Sequence, residues 1–182
     1  MDLRIERTYR SLSQAFVEML EEGPYDDITV AALCERAMIR RTTFYKHFAD
    51  KGEFFMFFLK SMRDEFERRV GAIEKRTNRE RNKLMLKELL RFLREHERLA
   101  ANAISSPNSA LLFDALCEVI YNDNLLTLKD ELASGRVQKE GFDAETKAAF
   151  VSGGILRMVR SWWAQGRPEG GEERMLAVLD AI

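Results

Sequence analysis

Residues 29–51 read TVAALCERAMIRRTTFYKHFADK, a stretch of two short amphipathic segments separated by a corner. In the first segment, apolar side chains recur at i, i+3, i+4 and i+7, the spacing of one buried helix face: Val30, Leu33, Cys34 and Ala37. Thr29 comes directly before this pattern, where the hydroxyl of an N-cap residue is expected. We therefore predict a short helix that begins after Thr29 and ends at the corner, residues 37–39.

The second segment has two aromatic side chains on one face and a polar ridge on the other. Phe44 and Phe48 are four residues apart, so they share one face of a helix. At about 100° per residue, the ridge that projects away from them carries Arg41, Thr42 and Lys46. Arg and Lys can hydrogen-bond to guanine, and Thr can contact a thymine methyl group. The pattern predicts a helix-turn-helix whose second helix reads base edges in the major groove with these three side chains.

These residues also resemble the DNA-binding domain of the TetR family of transcriptional regulators. The resemblance is carried by a Thr-capped helix, a corner, a Thr-aromatic-Tyr-x-His-Phe helix and a downstream Lys: Thr29, Ala37-Met38-Ile39, Thr43 to Phe48, and Lys51. It covers about the first third of the chain. It implies that a further set of side chains contacts the DNA backbone: Thr29, Arg40, Thr43, Tyr45, His47 and Lys51.

One residue of the corner departs from the family pattern. Met38 stands where the family usually has Gly. A side chain is strained at a corner that needs a positive φ. We therefore expect the corner to have a locally different turn geometry at Met38.

The composition is that of a globular protein rich in helix-forming residues. The chain has 182 residues, of which 46% are apolar and 32% charged, with 3 Pro. Abundant Leu, Glu, Arg, Lys and Ala favour an all-α fold. The net charge is −1, yet residues 36–51 contain five cations and one anion. Any DNA-binding face is therefore expected to be local.

Several other classes of function have no support in the sequence. His47 and His96 are the two histidines, and neither has Cys, Asp or Glu around it at metal-ligand spacing. The sequence contains no phosphate-binding glycine loop and no nucleophile motif. We therefore expect no metal, no cofactor and no enzyme activity.

The N-terminus and the cysteines bear on location. The charged N-terminus is unlike a secretory signal, and no apolar run approaches the length of about 18 residues that a membrane span needs. We expect no membrane partner. Cys34 and Cys117 lie on apolar helical faces, which favours reduced thiols over a disulfide and predicts a cytoplasmic protein.

Hydrophobic periodicity predicts helices along the rest of the chain. A short C-terminal helix follows the longer ones, which are predicted at residues 3–22, 51–76, 79–103, 109–133 and 144–165. The helix from residue 51 begins with a capping box formed by Asp50 and Glu53. Its first turns, residues 54–59, are apolar on all sides and need packing partners in every direction.

These elements predict an all-α protein with two domains. The N-terminal domain, residues 1–50, is a three-helix unit that contains the helix-turn-helix. A long helix joins it to a C-terminal helical domain, residues 51–182, for ligand binding and dimerisation. The resemblance implies a regulator, expected to be a repressor, that binds a palindromic double-stranded DNA operator as a homodimer and is released by a small-molecule effector.

The resemblance also implies that the last two helices pair with their mates in a second subunit. The helix at residues 144–165 contains Gly153 and Gly154, each of which costs about 1 kcal/mol relative to Ala within a helix. Close approach of a neighbouring helix is the simplest reason for both glycines. The predicted dimer interface consists of Phe150, Gly153, Gly154, Arg157, Trp162, Met175 and Leu179.

An apolar effector pocket is assigned to side chains of the C-terminal domain. Tyr121, Met158 and Trp162 are apolar or aromatic residues of predicted helices, and pockets in this family are typically apolar cavities among helices. Ordinary core or interface packing is the simpler role for each of the three.

Two rival functions stay open at this level. The chain could keep this fold and bind another protein through the helix-turn-helix face, and a gel-shift assay with genomic fragments near its own gene would separate the two. An enzyme would instead turn over a small molecule, and that turnover would be insensitive to mutation of Arg41 or Lys46.

Overall fold

The computed structural model describes residues 3–71, 76–106, 109–135 and 143–181, and in these ranges the chain is built from α-helices without β-strands. The all-α prediction is confirmed. The helices are α1 Leu3–Glu22, α2 Val30–Arg36, α3 Arg41–Tyr45, α4 Lys51–Val70, α5 Asn78–Glu95, α6 Glu97–Ser105, α7 Ser109–Ala133, α8 Ala144–Ala164 and α9 Gly171–Ala181. A short 3₁₀ turn, Tyr25–Asp27, links α1 to α2.

Two helix spans differ from the prediction. The span 79–103 was wrong as a single helix, because His96 adopts φ −123° and ψ 55°, which separates α5 from α6. The predicted end near residue 76 was also wrong. Helix α4 ends at Val70, because Gly71 has a φ of +62° and donates its N–H to the carbonyl of Glu67, the usual geometry of a glycine helix cap.

The described chain divides into two compact units. The first consists of Met1–Ser61 with Leu93–Leu112, and the second of Met62–Phe92 with Phe113–Ile182. The division therefore falls within α4. The boundary near residue 50 concerns functional domains, and it stays a prediction.

A cluster of phenylalanines forms the core of the first unit. The ring of Phe16 in α1 lies 5.3 Å from Phe54 and 5.1 Å from Phe58, both in α4. Phe48 lies 5.4 Å from Phe44 and 5.2 Å from Phe54. Aromatic pairs at these distances add to the stability from buried area. The apolar first turns of α4 thus have partners in α1 and around α3.

Helix α6 packs on α1 in the same unit and is held there by polar contacts. The side-chain amide of Asn102 donates to the carbonyl oxygen of Leu20 over 2.8 Å. The imidazole Nδ1 of His96 lies 2.6 Å from a carboxylate oxygen of Glu21. Both contacts occur at the C-terminal end of α1, close to the turn that leads into α2.

The second unit contains a buried polar network between α5 and α7. Glu131, 2% exposed, accepts the backbone N–H of Asn78 over 2.6 Å at the start of α5. One turn further, the side chain of Asn82 donates to Asn78 and to Asn124. Each of these buried polar groups has a partner, as burial requires.

An ion-pair cluster extends this polar network to α4. Arg81 donates two hydrogen bonds to the carboxylate of Asp123, at 3.1 and 2.7 Å, and a third to Glu67. Arg63 reaches the same Asp123 carboxylate at 3.4 Å. Burial raises the pKa of the Glu67 carboxyl group, against the lowering effect of Arg81. Charged side chains thus join α4, α5 and α7 within this unit.

Candidate nucleic-acid interface

Helix α2 begins with the predicted cap. The hydroxyl oxygen of Thr29 accepts the backbone N–H of Ala32 over 3.1 Å, and Thr29 itself has the extended backbone of an N-cap residue. On the buried side, Leu33 and Cys34 are almost fully inaccessible. The hydroxyl hydrogen of Thr29 is still available to an outside acceptor, since the cap uses only the oxygen.

The corner after α2 has a residue in the left-handed backbone conformation, although that residue is Met38 and not Gly. Met38 has a φ of +56°. Its N–H donates to the carbonyl of Glu35, and the N–H of Ile39 donates to the carbonyl of Cys34, which together form a Schellman cap. The expectation of a different turn was therefore wrong: the turn is the ordinary one, and Met38 occupies it under strain.

Helix α3 is positioned by the two phenylalanines beneath it. Phe44 is fully buried and Phe48 is 5% exposed, and the hydrogen bond from the Phe48 N–H to the Phe44 carbonyl continues the helical turn past Tyr45. On the opposite side, all three side chains predicted to contact bases are exposed: Arg41, Thr42 and Lys46. The aromatic anchors fix the direction in which this ridge faces.

Positive charge on this surface is concentrated on α3. Arg36, counted among the local cations, forms a bidentate ion pair with Glu22 at 2.8 and 2.7 Å, and this contact lowers the pKa of the Glu22 carboxyl group. By contrast, Arg40, Arg41 and Lys46 form no ion pair within the described ranges of the chain. These three cations are therefore free to meet an external anion.

The other predicted backbone contacts have varied surroundings. Arg40 and Tyr45 are exposed, and Thr43 is half-buried. His47 is half-buried, with Nδ1 3.4 Å from the hydroxyl of Tyr9 and the two rings edge to face at 5.3 Å. Tyr9 thus holds the His47 ring in one orientation.

Lys51 has a protein partner on the helix-turn-helix unit itself. Its ammonium donates to the carbonyl oxygen of Tyr25 over 2.9 Å and lies 4.1 Å from the centre of the Tyr25 ring. Burial lowers the pKa of Lys51, against the raising effect of Asp26 and Asp27. One of its three N–H donors is occupied, which leaves two for another acceptor.

The residues predicted for the dimer interface fall into two groups. Phe150, 65% exposed, lies with Gly153 and Arg157 on the outer face of α8, and Gly154 is half-buried beside them. Trp162, Met175 and Leu179 are instead buried within the chain. A Cβ added at either glycine would meet nothing within 4 Å, so no neighbouring helix in the described residues accounts for the pair.

The three residues assigned to a pocket are not all together. Met158 and Trp162 line an open groove of about 240 Å³ between α8 and α9, together with Ser161, Gln165, Pro168, Gly171, Arg174, Met175 and Val178. Tyr121 packs elsewhere, against the buried side chains of Leu128, Ala144 and Ala148.

Two features relevant to a site were missed from the sequence. The polar network of α5 and α7 and the charged cluster around Arg81 and Asp123 lie inside the second unit. Polar residues at otherwise apolar helix positions, such as Asn82 and Asn124, were the available signal.

In the described residues, no group of three or more His, Cys, Asp or Glu is arranged to hold a metal ion, and no helix is long and apolar enough to cross a membrane.

Helices α2 and α3 on the phenylalanine core define an all-α protein with an N-terminal helix-turn-helix. Comparison with known proteins agrees with this class. The family model of bacterial regulatory proteins of the tetR family matches residues 13–56, so the N-terminal segment that contains the helix-turn-helix is similar to that family. The uncharacterised HTH-type transcriptional regulator YxbF of Bacillus subtilis (strain 168) is 41% identical over 54 residues, which are 29% of this chain and 14% of that protein.

Solved structures of regulators share the fold over most of the chain. FadR from Bacillus subtilis, in complex with stearoyl-CoA, has a TM-score of 0.63 and 22% identity, covering 94% of this chain and 96% of that one. RolR in complex with resorcinol has a TM-score of 0.62 and 16% identity, with 98% and 88% covered. A putative TetR-family regulator from Rhodococcus sp. has a TM-score of 0.69 and 15% identity, with 97% and 98% covered. At these identities the likeness concerns the fold.

Proposed function

We propose that the chain is a DNA-binding transcriptional repressor that binds a palindromic operator as a homodimer and is released by a small-molecule effector. The observation that carries the proposal is the α3 surface. Three unpaired cations and a threonine hydroxyl stand on a helix that buried Phe44 and Phe48 hold in place. Such a role requires the compartment that contains the DNA, which in a bacterium is the cytoplasm.

The contacts of α3 are divided between bases and backbone. Arg41, Thr42 and Lys46 contact base edges, because they form the exposed ridge opposite the aromatic anchors. The DNA backbone is contacted by Thr29, Arg40, Thr43, Tyr45, His47 and Lys51, which fix the position of the helix without reading sequence. The ordered surroundings of His47 and Lys51 suit such a positioning role, since both side chains are already held by aromatic neighbours.

A dimer is supported by the outer face of α8. One short recognition helix reads too few base pairs for a genome, whereas a two-fold pair reads two half-sites one helical turn or a multiple apart. Phe150 exposes an apolar ring there, and Gly153 and Gly154 leave open space above the helix backbone. A second copy of α8 that packs on this face would make use of both features in a symmetric interface.

An effector site belongs to the second unit in this proposal. FadR and RolR were solved with stearoyl-CoA and resorcinol respectively, so the shared fold accommodates ligands with apolar parts. In this chain, the groove lined by Met158 and Trp162 is mainly apolar with Arg174 at its side. An apolar effector bound here would shift the population between conformations that fit the operator and conformations that do not.

The DNA-binding proposal is tested by selecting duplexes from a random pool and then measuring affinities at fixed salt concentration. We expect the wild-type protein to select a palindromic consensus. Arg41→Ala is expected to lose roughly 1–3 kcal/mol of binding free energy and to relax the consensus at one position of each half-site. Lys87→Ala is the matched control, because Lys87 is an exposed cation of α5, outside the helix-turn-helix.

Two results would contradict the proposal in different ways. If Arg41→Ala selects the wild-type consensus with unchanged affinity, the assignment of Arg41 to base reading is wrong. If the folded wild-type protein selects no consensus at all, DNA reading is excluded and the protein-interaction alternative takes its place.

A further inference from the structure

Met38 has two properties that folding alone does not favour. Its side chain is 92% exposed, the largest exposure among the exposed large hydrophobic residues of the described ranges. Its φ of +56° lies in the left-handed region, where a residue with a Cβ is strained and Gly is not. The side chain therefore adds little buried area, while its backbone opposes folding.

The corner that contains Met38 leads directly into the recognition helix. Ile39 is half-buried and anchors the corner, whereas Met38 on one side of it and Arg40 on the other are exposed. Arg40 is the N-cap residue of α3. In helix-turn-helix proteins, the N-terminal residues of the second helix contact the base edges. Met38 thus stands at the end of α3 that approaches the bases.

The chemistry of the side chain limits what it can recognise there. A thioether has no hydrogen-bond donor and is a weak acceptor, while its three rotatable bonds let it adapt to an apolar surface. Thymine presents a methyl group in the major groove, and this is the apolar group by which that groove distinguishes base pairs.

We infer that Met38 is a further specificity-determining residue, which contacts the 5-methyl group of one thymine in each operator half-site. The inference rests on the proposed DNA-binding function and extends it beyond the ridge of α3. In the free protein the Met38 side chain is exposed to water. In the complex it is buried against DNA, and this burial contributes to the free energy of binding. The strain at φ +56° is offset by this contact when DNA is bound.

The test compares thymine with deoxyuracil, which lacks only the methyl group, at each thymine of the selected consensus. A thymine contacted by Thr42 would keep its response to this replacement in Met38→Gly. With wild-type protein, replacing the thymine that Met38 contacts is expected to weaken binding about fourfold, the effect of exposing one buried methyl group. With Met38→Gly, the same replacement is expected to have no effect. Leu126→Ala removes a side chain of comparable exposure, 71%, from α7 and should keep the wild-type pattern.

The folding of the variant is checked independently. Met38→Gly relieves the left-handed strain, so its thermal midpoint is expected to be equal to or higher than that of the wild type. If Met38→Gly is at least as stable as the wild type, its loss of discrimination between thymine and deoxyuracil cannot result from unfolding. Met38→Leu, which keeps an apolar side chain at the corner, is expected to retain discrimination between thymine and deoxyuracil.

Each contrary outcome identifies what has failed. If Met38→Gly discriminates thymine from deoxyuracil as well as the wild type does, Met38 does not read a methyl group. If Met38→Gly binds the thymine duplex and the deoxyuracil duplex more weakly than the wild type by the same factor, Met38 makes a contact without sequence preference. This result also overturns the inference. A wild-type protein that selects no consensus would instead refute the underlying DNA-binding function.

Discussion

Trp162 lies against the backbone of Gly171, and this contact closes the hairpin of α8 and α9. A Cβ built at Gly171 would be 2.4 Å from Cδ1 and 2.5 Å from Nε1 of the indole ring. Gly171 is buried, and Trp162 is 8% exposed. Within the described chain, a close approach to a glycine thus occurs at Gly171, whereas the approach of a helix to Gly153 and Gly154 stays a prediction for a second subunit.

Because of this contact, alanine substitutions at Gly171 and at Gly153 are expected to have opposite effects on stability. Gly171→Ala is expected to lower the free energy of unfolding by roughly 1–3 kcal/mol, because the bulky indole has to move. Gly153→Ala, the matched control, should raise it by up to about 1 kcal/mol in the dissociated chain, since Ala favours helix and no described residue of the chain lies within 4 Å of the new methyl group. Urea denaturation of both variants measures the difference. Equal effects would mean that the indole does not pack on Gly171 in solution.

At the scale of elements, α5 depends on a carboxylate from α7 for its start. Helix N-termini leave several N–H groups without partners inside the helix. Glu131 supplies an acceptor to the N–H of Asn78 from 53 residues away in sequence. A negative charge at this end also complements the helix dipole, so Glu131 acts as a distant cap for α5.

Substitution of Glu131 tests this cap. Glu131→Ala leaves the buried N–H of Asn78 without an acceptor, and we expect it to cost about 2 kcal/mol of unfolding free energy. Glu131→Gln keeps an oxygen acceptor and should cost distinctly less. Hydrogen exchange of the amides at the start of α5 locates the effect. If exchange there is unchanged in Glu131→Ala, the hydrogen bond does not stabilise the helix.

For the whole molecule, the proposed dimer depends on a surface that the single chain leaves exposed. Phe150 and Gly153 lie on the outer face of α8, whereas Trp162, Met175 and Leu179 are needed inside the chain. The proposed interface is therefore best described as the exposed part of the predicted set.

Phe150→Glu is expected to give monomers at micromolar concentration. It would place an unpaired charge in a buried interface, which costs several kcal/mol per site. Light scattering measures the molecular mass, and Leu126→Glu is the control, because Leu126 is as exposed as Phe150 but lies on α7. A dimeric Phe150→Glu protein would place the interface elsewhere, and a monomeric wild type would refute the dimer.

Features with local causes were predictable from the sequence alone. The cap of α2 by Thr29, the burial of Phe44 and Phe48 beneath α3, and the capping of α4 by Asp50 follow from spacings of three or four residues. Such spacings act within one or two helical turns. The departure at Met38 was visible in the sequence, but the different turn expected from it was wrong, because this corner keeps its positive φ with Met in place.

Contacts between distant residues were decided by the tertiary structure. The ion pair of Arg36 with Glu22, which removes Arg36 from the cations available to an external anion, forms across 14 residues. Glu21 meets His96 across 75 residues, at the break between α5 and α6. Glu131 caps α5 across 53 residues. Periodicity shows which face of a helix is buried, but the packing of helices against one another determines which polar groups on those faces meet.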